Sequence, residues 1–146
     1  MIYLLDTNVC IAVMRGNALV RRRLTALTPT DCGISTVTLY ELYSGVERCR
    51  HPSAEKQKVQ VFSATLHLLP FDEDAASHTA RIRWHLEQQG KIIGPYDLML
   101  AGQALSLSVP LVTHHTDEFQ RVPGLLLEDW QIPAPPAPPP GLKTSL

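Results

Sequence analysis

The chain has 146 residues, enough for one domain with one core, and its 45% hydrophobic and 18% charged content is ordinary for a globular protein. A net charge of −1 excludes bulk polyanion binding. Cys10, Cys32 and Cys49 show neither CxxC spacing nor a disulfide framework, so they read as reduced packing residues. No apolar run approaches the roughly 20 residues of a membrane-spanning helix, and Asp6 interrupts the apolar start, so neither a membrane span nor a signal peptide is expected and the cytoplasm is the expected compartment.

Ile2-Tyr3-Leu4-Leu5 is long enough for a buried parallel strand and too short for a helix. It stops at Asp6-Thr7-Asn8, three capping residue types, and a short helix over Val9–Met14 is expected, closed by Gly16. Residues 17 to 29 read as a helix with an arginine face. Cys32 to Ser35 is a short strand, and it leads into a helix over 37–49 in which Val37, Tyr40, Tyr43 (or Leu42) and Val46 recur at helical spacing. Residues 51–63 have helical tendency, and 66–69 is a strand stopped by Pro70. Asp72 or Asp74 then caps a helix with Ala75, Thr79, Ile82 and Leu86 on one face and Gly90 past its end. A helix over 96–108 and strands at 111–113 and 125–127 complete the pattern. Strands alternating with helices predict a parallel sheet covered on both faces. From Ile132 the chain turns proline-rich and loses its acids, so 1–131 reads as the domain and 132–146 as an extended or disordered tail.

The acids fall in a pattern. Asp6 ends the first strand, Glu41 and Asp97 lie in the first turns of helices, and Asp117 and Glu118 closely follow the strand at 111–113. In an α/β fold one crevice can gather all of these positions. Clustered carboxylates raise one another's pKa, and a hard divalent ion such as Mg²⁺ or Mn²⁺ relieves that conflict. Each acid also has a plain structural role open to it: Asp6 as a helix cap, Glu41 in a capping box with Thr38, Asp97 on a helix dipole, and Asp117 and Glu118 as solvated loop acids.

The local sequences are more specific. Tyr3-Leu4-Leu5-Asp6-Thr7-Asn8 resembles the opening of PIN domains. Ile34-Ser35-Thr36-Val37-Thr38-Leu39-Tyr40-Glu41-Leu42 with Gly45 resembles their second motif, and Ile93-Gly94-Pro95-Tyr96-Asp97-Leu98 through Gly102 their third. Leu111-Val112-Thr113 through Glu118-Phe119, with Val122-Pro123-Gly124-Leu125 and Glu128-Asp129-Trp130, resembles the end of VapC toxins. The resemblance implies a PIN fold, with four to five parallel strands flanked by helices, and a homodimer. It implies a Mg²⁺- or Mn²⁺-dependent endoribonuclease that cuts tRNA in a loop such as the anticodon loop and so halts translation. A cognate VapB-like antitoxin would hold it inactive, laying a segment across the active-site groove.

Carried over, Asp6, Asp97, Glu41 and Glu118 would be the catalytic metal ligands, with Asp117 a neighbour that could substitute for Glu118. Thr7, Asn8 and Thr113 would orient these ligands. His115 stands where relatives commonly carry Asn or Asp, and imidazole there would favour Mn²⁺. Arg21–Arg23, Arg48 with Arg50, and Arg81 with Arg83 and Lys91 are candidate phosphate contacts. Two other readings exist. An aspartyl-nucleophile phosphohydrolase would want a second Asp where Asn8 stands, and a PIN-like module could bind RNA or a partner without cutting.

Overall fold

A computed structural model describes residues 2–133. The chain runs β1 (Tyr3–Leu5), α1 (Thr7–Met14), α2 (Ala18–Thr25), β2 (Cys32–Ser35), α3 (Thr36–Arg48), α4 (Pro52–Ala64) and β3 (His67–Leu69). It continues through α5 (Glu73–Gln88), α6 (Pro95–Leu107), β4 (Leu111–Val112), α7 (Thr116–Phe119) and β5 (Leu127–Glu128). The five strands pair in the order β3-β2-β1-β4-β5, and every pairing is parallel. The expected architecture is therefore present. The order reverses at β1, which sends the chain to β2 on one side and lies against β4 on the other. That reversal is where open α/β sheets form a ligand crevice, outside the carboxyl ends of the strands.

Strand alternation divides the core between the two faces of the sheet. Leu4 and Leu111 point to one face, where Ile82, Leu86, Leu98, Leu100, Ala101 and Ala104 of α5 and α6 cover them. Leu5 and Val112 point to the other, against Val9, Val13, Leu42, Val46 and Trp130. Cys10 and Cys32 are buried on this second face and Cys49 is half-buried; all three thiols are free, and burial pushes the Cys32 thiol up to about 11. On the first face α6 packs tightly against α5, since a Cβ on Gly102 would come within 2.8 Å of the Thr79 backbone.

Local signals set most boundaries. Asn17, Ser35 and Asp72 accept hydrogen bonds from the amides of Val20, Val37 and Ala75, which starts α2, α3 and α5. Gly16 and Gly90 take positive φ (89° and 65°) just past α1 and α5, where glycine carries no Cβ penalty. Several expectations need correction. The first helix begins at Thr7, because Asp6 supplies the extended residue before it, and the second ends at Thr25 rather than running to Pro29. The last strand lies at Leu127–Glu128, where register with Leu111 and Val112 decides it, not at the apolar run Leu125–Leu127. Helix α7 is four residues long, too short to leave a periodic signature. Tyr40 does not join the buried face of α3, which is Val37, Thr38, Leu42 and Val46. The proline-rich tail from 134 onward lies outside the described residues.

Candidate active site at the carboxyl edge of the sheet

Helices that alternate with parallel strands return antiparallel to them, so each begins at the sheet's carboxyl edge when it follows or directly feeds a strand. Strand β1 therefore delivers Asp6 there, and α3 starts there after β2 and carries Glu41 in its second turn. Helix α6 reaches β4 through only Ser108, Val109 and Pro110, so its own start, with Asp97 in the first turn, lies at the same edge. Helix α7 follows β4 and brings Asp117 and Glu118.

Asp6 is only 2% exposed. Its side chain makes no capping hydrogen bond to α1; the Thr113 hydroxyl donates to its Oδ2 at 2.8 Å. This bond joins the residue after β1 to the residue after β4, where Leu5 pairs with Val112. Thr113 Oγ1 in turn accepts the His115 backbone N–H at 3.0 Å. Burial raises the Asp6 carboxyl above its ordinary range, opposed by the Thr113 bond, by the Thr7 and Asn8 amides and by the charge of His115.

Glu41 is half-buried and accepts a 2.8 Å hydrogen bond from the Thr7 hydroxyl. Thr7 Oγ1 also lies 3.1 Å from Oγ1 of buried Thr38. The capping-box reading of Thr38 and Glu41 is thereby removed, because Ser35 caps α3 and Thr38 sits inside the helix. Burial raises the Glu41 carboxyl, Thr7 lowers it, and Asp6 raises it again.

Asp97 is the most perturbed acid. Burial first, then the charge of Asp6, the neighbouring Glu118 carboxyl and the charge of Glu41 push it up to about 7. The charges of Asp6, Glu41 and Glu118 thus all reach Asp97 at the carboxyl edge of the sheet. Asp117 is exposed beside Glu118, and it lines a shallow recess with His114, His115 and Thr116. Asn8 is exposed on α1, in a groove shared with Arg15, His114 and His115.

The donors are all oxygens, with no thiol in the crevice, and their charges conflict. That chemistry fits a hard divalent ion that keeps some of its waters. Among the described residues no group of three or more acidic, histidine or cysteine side chains stands close enough together to hold a metal ion as it is arranged here.

The PIN domain family profile matches residues 3–125. A tRNA(fMet)-specific endonuclease VapC from Shigella flexneri is 41% identical over 129 residues, which is 88% of this chain and 97% of that protein. Ribonuclease VapC2 from Rickettsia felis is 34% identical over 132 residues, covering 89% of this chain and 98% of its own. This chain is a PIN-domain protein of the VapC family. Its fold superposes on that of DNA-bound VapBC from Salmonella typhimurium with a TM-score of 0.85 at 38% identity, covering 89% of this chain and 98% of that one. VapBC2 from Rickettsia felis, bound to a promoter DNA fragment, gives 0.83 at 32% identity over 89% and 99% of the two chains.

Two members of the basic clusters make contacts within their own part of the fold. Arg83 pairs with Glu87 at 2.7 Å on α5, and Arg21 Nε donates to the Val13 carbonyl at 3.1 Å. Sequence reasoning missed Thr38 as a support of the Thr7–Glu41 pair; its one signal was a hydroxyl on the buried face of a helix. It also missed the pairing of Tyr40 with Tyr96 at the crevice rim.

Proposed function

We propose that this chain is the toxin of a VapBC toxin–antitoxin pair, a Mg²⁺- or Mn²⁺-dependent endoribonuclease that hydrolyses a phosphodiester bond in an RNA loop. The observation that carries this reading is the gathering of acids at the switch point of the sheet: Asp6 held by Thr113, Glu41 held by Thr7, and Asp97 under the charges of Asp6, Glu118 and Glu41. The relatives from Shigella and Salmonella are named for tRNA(fMet), which supports tRNA as the substrate and, with the resemblance to VapC toxins, the anticodon loop as the place of cleavage. Translation would stop as a result. No described helix is long and apolar enough to cross a membrane, which accords with action in the cytoplasm.

Asp6, Glu41, Asp97 and Glu118 would hold the ion, with Asp117 beside Glu118 as an alternative donor. The ion would supply activation of water and shielding of the charge that develops on the phosphate. The protein's part is preparation. Thr113 aims the Asp6 carboxylate, and Thr7, backed by Thr38, aims Glu41. The raised Asp97 carboxyl would have to release its proton before it could ligate, so ion binding would be coupled to deprotonation near pH 7. Asn8 is placed to orient a ligand or a phosphate from α1.

A VapB-like antitoxin is the proposed partner, supported by the VapBC structures that the fold matches. A groove of about 550 Å³ between α1, α3 and α4 includes Glu41 with Ile11, Arg15, Val46 and Lys58. It supports a mode of inhibition in which an antitoxin segment lies against the site. Pairing of two copies into a homodimer belongs to the same proposal.

The test is incubation of purified, antitoxin-free protein with total tRNA in Mg²⁺ or Mn²⁺. Discrete fragments that Asp6→Asn abolishes are expected. Intact RNA in both metals would overturn the nuclease reading in favour of a binding module.

A further inference from the structure

Two tyrosines stand beside the carboxylates without entering the core. Tyr40 precedes Glu41 on α3, Tyr96 precedes Asp97 on α6, and their side chains stay 54% and 41% exposed. Their ring centroids are 5.5 Å apart with 57° between the planes. The Tyr96 hydroxyl donates to the Tyr40 hydroxyl at 3.3 Å, which ties together residues 56 apart in the chain. The charge of Glu41 reaches the Tyr96 hydroxyl, so the pair sits on the rim of the acidic crevice.

An exposed aromatic pair of this kind contributes little to the core, yet it offers flat apolar surface beside a phosphate-cleaving centre. We propose that Tyr40 and Tyr96 form a stacking platform for an unpaired nucleobase of the RNA, adjacent to the phosphate that the carboxylates engage; the inference rests on the ribonuclease reading of that site. Each tyrosine is the chain neighbour of one of these acids, Tyr40 of Glu41 and Tyr96 of Asp97, which keeps the pair beside the carboxylates. The rings are too close and too steeply tilted to admit a base between them. A base therefore lies on the outer face of one ring while the other braces it through the hydroxyl bond. Every base has such a face, so the platform reads unpairedness rather than identity. A base held in a duplex is stacked on its neighbours and cannot take this seat.

The test uses the full chain with Tyr40→Ala, Tyr96→Ala, Tyr40→Phe and Tyr96→Phe. Each alanine variant is expected to raise KM for tRNA about tenfold, from the loss of one stacking partner, with kcat changed far less. Each phenylalanine variant keeps the ring and loses only the hydroxyl bond that braces it, so KM is expected to return most of the way to that of the unsubstituted chain. Binding is read separately by anisotropy of a short labelled single-stranded RNA, and of the same strand annealed to its complement, on chains carrying Asp6→Asn to prevent cleavage. The alanine variants should weaken the single strand about tenfold and leave the duplex unchanged. Unchanged KM and unchanged single-strand affinity would overturn the platform while leaving the nuclease reading intact. Unchanged affinity with a shift in oligomeric state on size exclusion would overturn it in favour of a protein interface. If the unsubstituted chain cuts no RNA, the nuclease reading fails, and the affinity series decides the platform alone.

Discussion

The acidic crevice has two halves that are built on opposite principles. Asp6 and Glu41, after β1 and on α3, are each gripped by a threonine hydroxyl, and the hydroxyls are themselves braced by Thr38 and by the His115 amide. Asp97, on α6, is instead raised by burial and by the charges of Asp6, Glu118 and Glu41, with Glu118 exposed on α7. The first half is aimed in advance by hydrogen bonds that favour the charged form. The second half is set by repulsion, which a cation or a proton relieves. The crevice thus has a fixed side and a titrating side.

The largest effect should come from the fixed side. Asp6→Asn keeps an oxygen for Thr113 but removes a buried charge, and tRNA cleavage should fall by about 10²–10³-fold with the circular dichroism spectrum unchanged. Glu118→Gln, on the exposed and titrating side, should lose only about tenfold. Equal losses would erase the distinction between the halves.

Thr113→Val comes next. It strips the buried Asp6 carboxylate of its donor, which should cost about 1–3 kcal/mol of stability and lower cleavage about tenfold. Thermal and denaturant unfolding measure the first, and a single-turnover cleavage rate the second. Thr113→Ser should recover most of both.

The titrating side predicts a pH dependence. The Asp97 carboxyl is raised in the folded chain to about 7 from an ordinary 3.8. The folded state therefore holds a proton that the unfolded state has already released. The stability this contributes is full below about pH 4 and is lost as pH rises through about 7. In EDTA the melting temperature should fall across that window, and Asp97→Asn should flatten the fall. Mg²⁺ should restore stability at the alkaline end, and its apparent affinity should rise with pH through the same range. A flat profile in EDTA would contradict a raised Asp97 carboxyl.

The smallest effect belongs to His115. Its charge reaches Asp6 while its ring stays exposed, so His115→Asn should change cleavage by no more than about twofold. An unchanged ratio of Mg²⁺ to Mn²⁺ activity would leave it an electrostatic neighbour. A ratio shifted toward Mg²⁺ in the variant would place the imidazole among the ligands and give the fixed side a third member.

Much of this was legible in the residues. Asp6, at the end of an apolar run of strand length and before a helix, could be placed at a sheet edge by pattern alone. The positions of Glu41, Asp97 and Glu118 followed from the motifs that surround them. Thr38 was not legible, since a hydroxyl inside a helix has many local uses and its value here depends on Thr7 approaching from another element. Tyr40 was misread because helical spacing reports a face but not what that face meets. Helix α7 was missed because four residues carry no period.

The sequence by itself determined the alternation of strands and helices, most of the caps, and the residue types that would line a crevice. These are properties of neighbours in the chain, governed by local dihedral preferences and hydrophobic period. The tertiary structure alone decided that Asp6 is an acceptor for Thr113 rather than a cap, and that Asp97 lies partly buried under the charges of Asp6, Glu118 and Glu41. It also decided that Tyr40 meets Tyr96. Each of these pairings joins positions far apart in the chain, and only the parallel sheet order β3-β2-β1-β4-β5 brings their elements to one edge.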